Sequence, residues 1–284
     1  MKIVVTGANG QLGYDTVRVL SEAGHKVIPA DLPDIDITDK DRIQNLIVKE
    51  NPDAVIHLAA YVAVDKAEEE RDLCYDINVK GTSYIAEICG KLSIPVLYTS
   101  TDYVYNGRGT DPYEIDSPVG PENQYGFTKL MGEQEIRKYC SKFFIVRISW
   151  VFGINGKNFV NTIIELSSLR DSLDVVCDQV GSPTYTADLA VLLKNMIESD
   201  KYGIYHATNE GFCSWSDFAE EIISLTGADT FINPVLSSEY KTAAVRPHNS
   251  RLSKESLDRA GFDRLPDWHD ALRNYLILKG VIND

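Results

Sequence analysis

The stretch that most limits what this chain can become is its start, Lys2-Ile3-Val4-Val5-Thr6 running into Gly7-Ala8-Asn9-Gly10-Gln11-Leu12-Gly13. Apolar, β-branched residues read as a short buried strand, and the glycines after them break it and hand the chain to a helix. Gly7 takes a tight turn, Gly10 lets backbone approach a ligand with no Cβ in the way, and Gly13 permits close helix–strand contact. The helix start adds unpaired N–H groups and a partial positive charge, which suit an anion. Three glycines alone are a weak signal. Set between an N-terminal strand and a helix that Gly24 closes, they read as a cradle for the phosphates of a dinucleotide. Gly7, Asn9, Gly10, Gln11, Leu12 and Gly13 are therefore its cofactor-binding candidates.

The rest of the first half repeats the alternation. A helix over Gln11 to Glu22 leads to a strand at Lys26 to Ala30, whose end carries Asp31, where an acid meets adenosine ribose hydroxyls in such folds. An acid there opposes a 2′-phosphate and tilts the choice toward NADH without excluding NADPH. Thr38-x-x-Asp41 has a capping pattern for a helix that Asn51-Pro52 stops. Ala54 to Ala60 is a third strand, and Glu68-Glu69-Glu70-Arg71-Asp72 reads as a solvated helix start. One long helix is expected over Leu73 to Leu92, a strand over Pro95 to Ser100, a helix over Gln124 to Tyr139 and a strand over Phe143 to Arg147. Strand and helix in alternation imply an α/β fold, a Rossmann-like doubly wound parallel sheet that takes ligands at the carboxyl ends of its strands. Beyond Trp150 the alternation loosens into helices near Phe159, Ala187, Trp215 and Trp268, with strands at Asp174 to Val176 and Gly203 to His206. The expected organisation is an NAD(P)-binding domain over 1–150 and a smaller α/β, mainly substrate-binding domain over 151–284, with an interleaved boundary.

Composition closes off other classes. With 44% apolar and 25% charged residues the chain is an ordinary globular one, and no window nears the roughly 18 continuous apolar residues of a membrane span. The apolar run Ile3 to Val5 is too short for a signal peptide, so a cytoplasmic protein is expected. Five scattered cysteines with no C-x-x-C pair suit reduced packing thiols. The histidines form no ligand cluster, and no metal is expected. A net charge of −14 argues against nucleic acid as a partner.

The chemistry-bearing residues lie between. Tyr125-Gly126-Phe127-Thr128-Lys129 sets a phenol and an ammonium four apart, on one helix face. An ammonium beside a phenol favours the phenolate and brings the tyrosine toward use as an acid–base group. The preceding strand ends in Ser100-Thr101-Asp102-Tyr103, which places hydroxyls at the same sheet edge as the glycine turn.

Together, Thr6-Gly7-x-x-Gly10-x-x-Gly13, Thr101 and Tyr125-x-x-x-Lys129 resemble an extended short-chain dehydrogenase/reductase, and Asn78-Val79-Lys80-Gly81 fits that family. Longer stretches resemble its dTDP-4-dehydrorhamnose reductase branch over nearly the whole chain: Ala59 to Glu68, Ser100 to Tyr105, Arg147 to Gly153, Asp178 to Thr184 and Arg246 to Leu252. The resemblance implies NADPH or NADH as cofactor and the C4 ketone of dTDP-4-dehydro-L-rhamnose as substrate. It makes Tyr125, Lys129 and Thr101 catalytic and adds Ala59, Ala60, Tyr61 and Asn78, with Tyr125 and Lys129, to the cofactor contacts. Asp102, Tyr103 and Trp150 would line the sugar site, and Arg246, His248 and Asn249 would meet the nucleotide diphosphate. Val62 stands where related reductases commonly carry threonine. Some relatives dimerise through acidic residues and magnesium; Asp15 matches one such position, but Ala187 occupies another. Monomer and homodimer both stay open. So do two rival readings, a sibling nucleotide-sugar reductase or epimerase and a non-catalytic subunit resembling the beta subunit of methionine adenosyltransferase. A 4,6-dehydratase is disfavoured because Tyr103 replaces the glutamate it needs.

Overall fold

A computed structural model describes residues 1–283. At its centre lies a six-stranded, wholly parallel sheet in the order Gly203–His206, Phe143–Ile148, Val96–Thr101, Ala54–His57, Lys2–Thr6, Lys26–Ala30. The strands are near-continuous apolar runs because both sheet faces are covered. Helices Gln11–Glu22, Thr186–Ile197 and Glu255–Ala260 cover one face, with Leu20, Leu189 and Leu257 at the contact. Helices Lys40–Glu50, Thr82–Leu92 and Gln124–Tyr139 cover the other through Ile43, Ile85 and Ile136. The opening strand has its sequence successors on opposite sides, Lys26–Ala30 on one and Ala54–His57 on the other. At that reversal the flanking connections diverge and leave a crevice beyond the strand ends.

Residues past 150 complete this unit as well as adding to it. The Gly203–His206 strand extends the sheet beside Phe143–Ile148, and helix Thr186–Ile197 packs along the opening helix. The remainder gathers around a separate core of Phe152, Phe218, Trp268 and Tyr275. Small sheets edge that lobe, among them the parallel pair Ser172–Val176 and Phe231–Val235.

Most elements fall where the residue pattern puts them; three details differ. The expected single helix from Leu73 starts at Arg71 and passes through a π turn over Asp76–Gly81 before continuing as Thr82–Leu92. That turn carries the Asn78 amide inward, where it donates to the Tyr61 carbonyl at 3.1 Å and to Thr128 Oγ1 at 3.0 Å. Asp39 caps the next-strand helix by accepting the Arg42 N–H at 3.1 Å, while the Thr38 hydroxyl donates to Asp36 instead. The acidic run is only partly solvated. Glu68 accepts the Gln124 N–H at 2.7 Å, placing a carboxylate at the start of the Tyr125 helix, and Glu70 accepts the Tyr61 phenol.

Candidate active site

At Gly7 and Gly13 the turn is packed so closely that no side chain fits. Gly7 has φ +67°, and a Cβ there would lie 2.6 Å from the Ala59 nitrogen; one on Gly13 would lie 2.0 Å from the Gly7 carbonyl oxygen. The helix that follows begins at Gln11 with no capping side chain and no acid in its first turn, so its leading N–H groups are left for a ligand. Asp31 stands at the end of the neighbouring strand and accepts the N–H groups of Asn9 and Leu32, each at 2.8 Å. From the far lobe, the Asn155 amide donates to the Asn9 carbonyl at 2.7 Å, and the Gln11 amide donates to the Lys157 carbonyl at 3.0 Å. The turn is therefore fixed from both halves of the chain.

A cleft of about 540 Å³ runs from this turn across the strand ends. Gly7, Gly10, Gln11, Leu12, Gly13, Asp31, Ala59 and Ala60 border one end, and Thr101, Asp102, Tyr103, Tyr125, Lys129 and Trp150 border the other. Asn123 caps the Tyr125 helix by accepting the Gly126 N–H at 2.8 Å. Gly126 lets that helix start close in, since a Cβ would come within 2.2 Å of the Tyr103 carbonyl oxygen. Tyr125 and Tyr103 meet edge to face at 5.6 Å.

Burial pushes the Tyr125 phenol well above its ordinary pKa, with the Thr101 hydroxyl working against the rise. Lys129 is equally buried, and desolvation pulls its ammonium down to about 7 against the opposing charge of Glu133. Glu133, a further turn along the same helix face, is itself gripped by Arg147 at 2.9 and 2.7 Å. The expectation that Lys129 would depress the Tyr125 phenol meets a different arrangement: burial governs the phenol, and the ammonium sits 4.2 Å above the Tyr98 ring. Among the described residues the buried Ser100 hydroxyl has no hydrogen-bond partner. An unmatched hydroxyl beside a cradle built of glycines fits a nucleotide cofactor carrying ribose hydroxyls and phosphates. Asp102 is buried beneath Thr101. Its carboxyl is raised to about 6 by desolvation, with hydrogen bonds from Ser250 and Thr101 opposing.

The sequence matches the family described as RmlD substrate binding domain over residues 1–279. The chain belongs to this family. It is 41% identical to the spore coat polysaccharide biosynthesis protein SpsK of Bacillus subtilis, over 97% of this chain and 96% of that protein. A solved dTDP-4-dehydrorhamnose reductase from Clostridium acetobutylicum superposes with a TM-score of 0.96 at 40% identity, covering 99% of this chain and all, 100%, of the other. The Bacillus anthracis dTDP-4-dehydrorhamnose reductase, solved in complex with NADP, gives a TM-score of 0.95 at 39% identity, with 98% and 99% covered.

Against this RmlD frame, some expected residues take supporting positions. Asn9 contributes its backbone to the Asp31 carboxylate, and Asn78 braces the Tyr61 backbone, accepting its N–H at 2.8 Å, so neither side chain borders the cleft. The Tyr61 phenol turns away to Glu70. Arg246 does not line the cleft; it pairs with Asp65 at 2.7 Å beside Tyr103, which does. His248 is exposed and rests on the Asp178 carbonyl at 3.0 Å. Asn249, expected at the diphosphate, is buried with its amide donating to the Asp111 carbonyl at 2.8 Å, which makes it a loop brace. Ser100, Ile148, Ser149, Val62 and Trp215 border the cleft without having been singled out as contacts. Only position could have revealed the strand-end residues, and Trp215 carries no local signal, because its neighbour in space lies in another element.

Proposed function

We propose that this RmlD-family protein is an NAD(P)H-dependent oxidoreductase that reduces the C4 ketone of dTDP-4-dehydro-L-rhamnose to dTDP-L-rhamnose. The observation that carries the reading is the meeting of Thr101, Tyr125 and Lys129 at the wall of a cleft whose other end is the glycine cradle. When bound, the reduced nicotinamide supplies hydride. The Gly7–Gly13 turn and the helix start would hold its phosphates, Asp31 would meet its adenosine ribose, and Lys129 would offer its ammonium to ribose hydroxyls. The Thr101 hydroxyl, which donates to the Asp102 carboxylate at 3.0 Å, would turn its proton to the sugar carbonyl oxygen and stabilise the charge that grows there. A phenol raised by burial is protonated at neutral pH, so Tyr125 stands ready to deliver its proton to that oxygen. Trp150, Tyr103 and Asp102 shape the sugar end, and Arg246 reaches the diphosphate from the rim. Buried thiols at Cys74, Cys89, Cys140 and Cys213 suit a reducing, cytoplasmic setting.

The test supplies dTDP-4-keto-6-deoxyglucose, a 3,5-epimerase and either reduced cofactor. Falling nicotinamide absorbance with dTDP-L-rhamnose formed in equal amount is the expected result. No oxidation with either cofactor would sink the reading, and oxidation without the epimerase would move it to a sibling keto-sugar.

A further inference from the structure

Trp150 holds a backbone conformation that its side chain does not favour. Its φ is +49°, in the left-handed region that bulky residues seldom enter and keep only where the surroundings impose it. Three neighbours do so. The Thr184 N–H donates to the Trp150 carbonyl at 3.1 Å, and the Thr184 hydroxyl donates to the Ser149 carbonyl at 2.6 Å. Gly181 clears the space for the ring, since a Cβ there would lie 3.0 Å from Trp150 Cε2. On its face lies the Trp215 indole, stacked at 3.7 Å with the planes 14° apart.

Trp215 is in turn held from outside. It opens helix Trp215–Thr226 immediately after Ser214, whose hydroxyl accepts the Asp217 N–H at 3.1 Å while the Asp217 carboxylate accepts the Ser214 N–H at 2.8 Å. Phe159 packs on it at 4.6 Å. Phe152 and Phe218, aromatics of the same lobe, are fully buried, whereas both indoles stay half-buried and border the cleft.

We propose that Trp215 is a positioning residue for the sugar end: it clamps Trp150 in its strained conformation, so that the stacked pair forms a rigid aromatic wall for the apolar face of a deoxy-sugar. This rests on the reductase reading above. Trp215 acts through Trp150 and leaves the glycine cradle untouched, so its loss weakens nucleotide-sugar binding selectively.

The variants are Trp215→Phe, which keeps a ring, and Trp215→Ala, each checked for folding by thermal melting. Stacked indoles give an exciton couplet in far-ultraviolet circular dichroism; the wild type shows it and Trp215→Phe does not. In Trp215→Ala the KM for the keto-sugar rises about tenfold, the scale of one lost aromatic contact, with a smaller rise in Trp215→Phe. The kcat and the cofactor Kd stay near wild type. Calorimetry with dTDP-L-rhamnose reads the same change without turnover. A wild type that binds this nucleotide-sugar but reduces no ketone overturns the reductase reading alone, and Trp215 is then judged by the calorimetric Kd. A wild type without the couplet, a folded Trp215→Ala with unchanged sugar affinity, or sugar and cofactor affinities falling together would overturn the clamp. If Trp215→Ala fails to fold, an unchanged KM in Trp215→Phe does so.

Discussion

The two ends of the cleft are made by different means. At the cofactor end Gly7, Gly10, Gly13 and Asp31 belong to one contiguous strand–helix–strand unit, which Ala59 packs against and Asn155 and Lys157 pin from the far lobe. At the sugar end Thr101, Tyr125, Trp150 and Trp215 come from four separate parts of the chain, and long-range packing brings them together. The first kind of site is written in spacing; the second emerges only when the fold closes. Substitutions at the cofactor end should therefore act on backbone and affinity, and those at the sugar end on chemistry and selectivity.

The largest effect sets the two ends apart most clearly. Tyr125→Phe should lower kcat by about 10²–10⁴-fold while the cofactor Kd moves less than about twofold, because it deletes a proton donor and little else. Nicotinamide oxidation and a fluorescence titration measure the two quantities. Retention of more than about a tenth of the activity would hand the acid role to another group.

The converse change is Gly7→Ala. A Cβ at φ +67° and 2.6 Å from the Ala59 nitrogen forces the turn away from its neighbour. The expected cost is about 1–3 kcal/mol of stability, with a cofactor Kd weakened roughly tenfold or more. Sugar affinity equal to wild type in the same variant would support separate construction of the two ends; equal losses at both would erase the distinction.

What could be read beforehand follows the same division. The glycine turn, Asp31, the Tyr125–Lys129 spacing and the parallel sheet were legible, since each rests on a local period or on a strand end. The Asn78 π turn was not, because Leu73 to Leu92 has helical periodicity throughout and the inserted residue is recognisable only by its bond to Tyr61. Nor was the state of Lys129. The i, i+4 spacing puts it one turn from Tyr125, but its burial and the Tyr98 ring beneath it come from another element. Asn249 misled in the opposite way: a polar residue beside Arg246 and His248 points inward to support the loop.

A pH series at Asp102 probes how deeply the sugar end is desolvated. Its carboxyl has an ordinary value of 3.8 and is raised to about 6 when folded, so the folded state takes up the proton more readily than the unfolded state. The contribution of this group to stability is full below about pH 4 and is lost as pH rises through about 6. At pH 7 the buried carboxylate costs about 1–3 kcal/mol. Asp102→Asn should therefore gain up to that amount at pH 7 and nothing at pH 4, as read by urea unfolding at the two values. An equal gain at both would mean that the carboxylate carries no such cost.

The smallest effect belongs to the rim, where the sugar end meets solvent. Arg246 pairs with Asp65 at 2.7 Å with 30% of its side chain exposed, a setting in which an ion pair is worth about 1 kcal/mol or less and is screened by salt. If Arg246 reaches the nucleotide diphosphate, it does so by exchanging Asp65 for phosphate oxygens, so only the difference between two charge pairings reaches the binding energy. Arg246→Ala should raise the KM for the nucleotide-sugar by about three- to tenfold and flatten its dependence on ionic strength. Asp65→Asn removes the competing carboxylate and should shift KM the other way. An Arg246→Ala enzyme with the wild-type KM and salt slope would leave this arginine as an anchor for its own loop, and the diphosphate would then rest on backbone N–H groups instead.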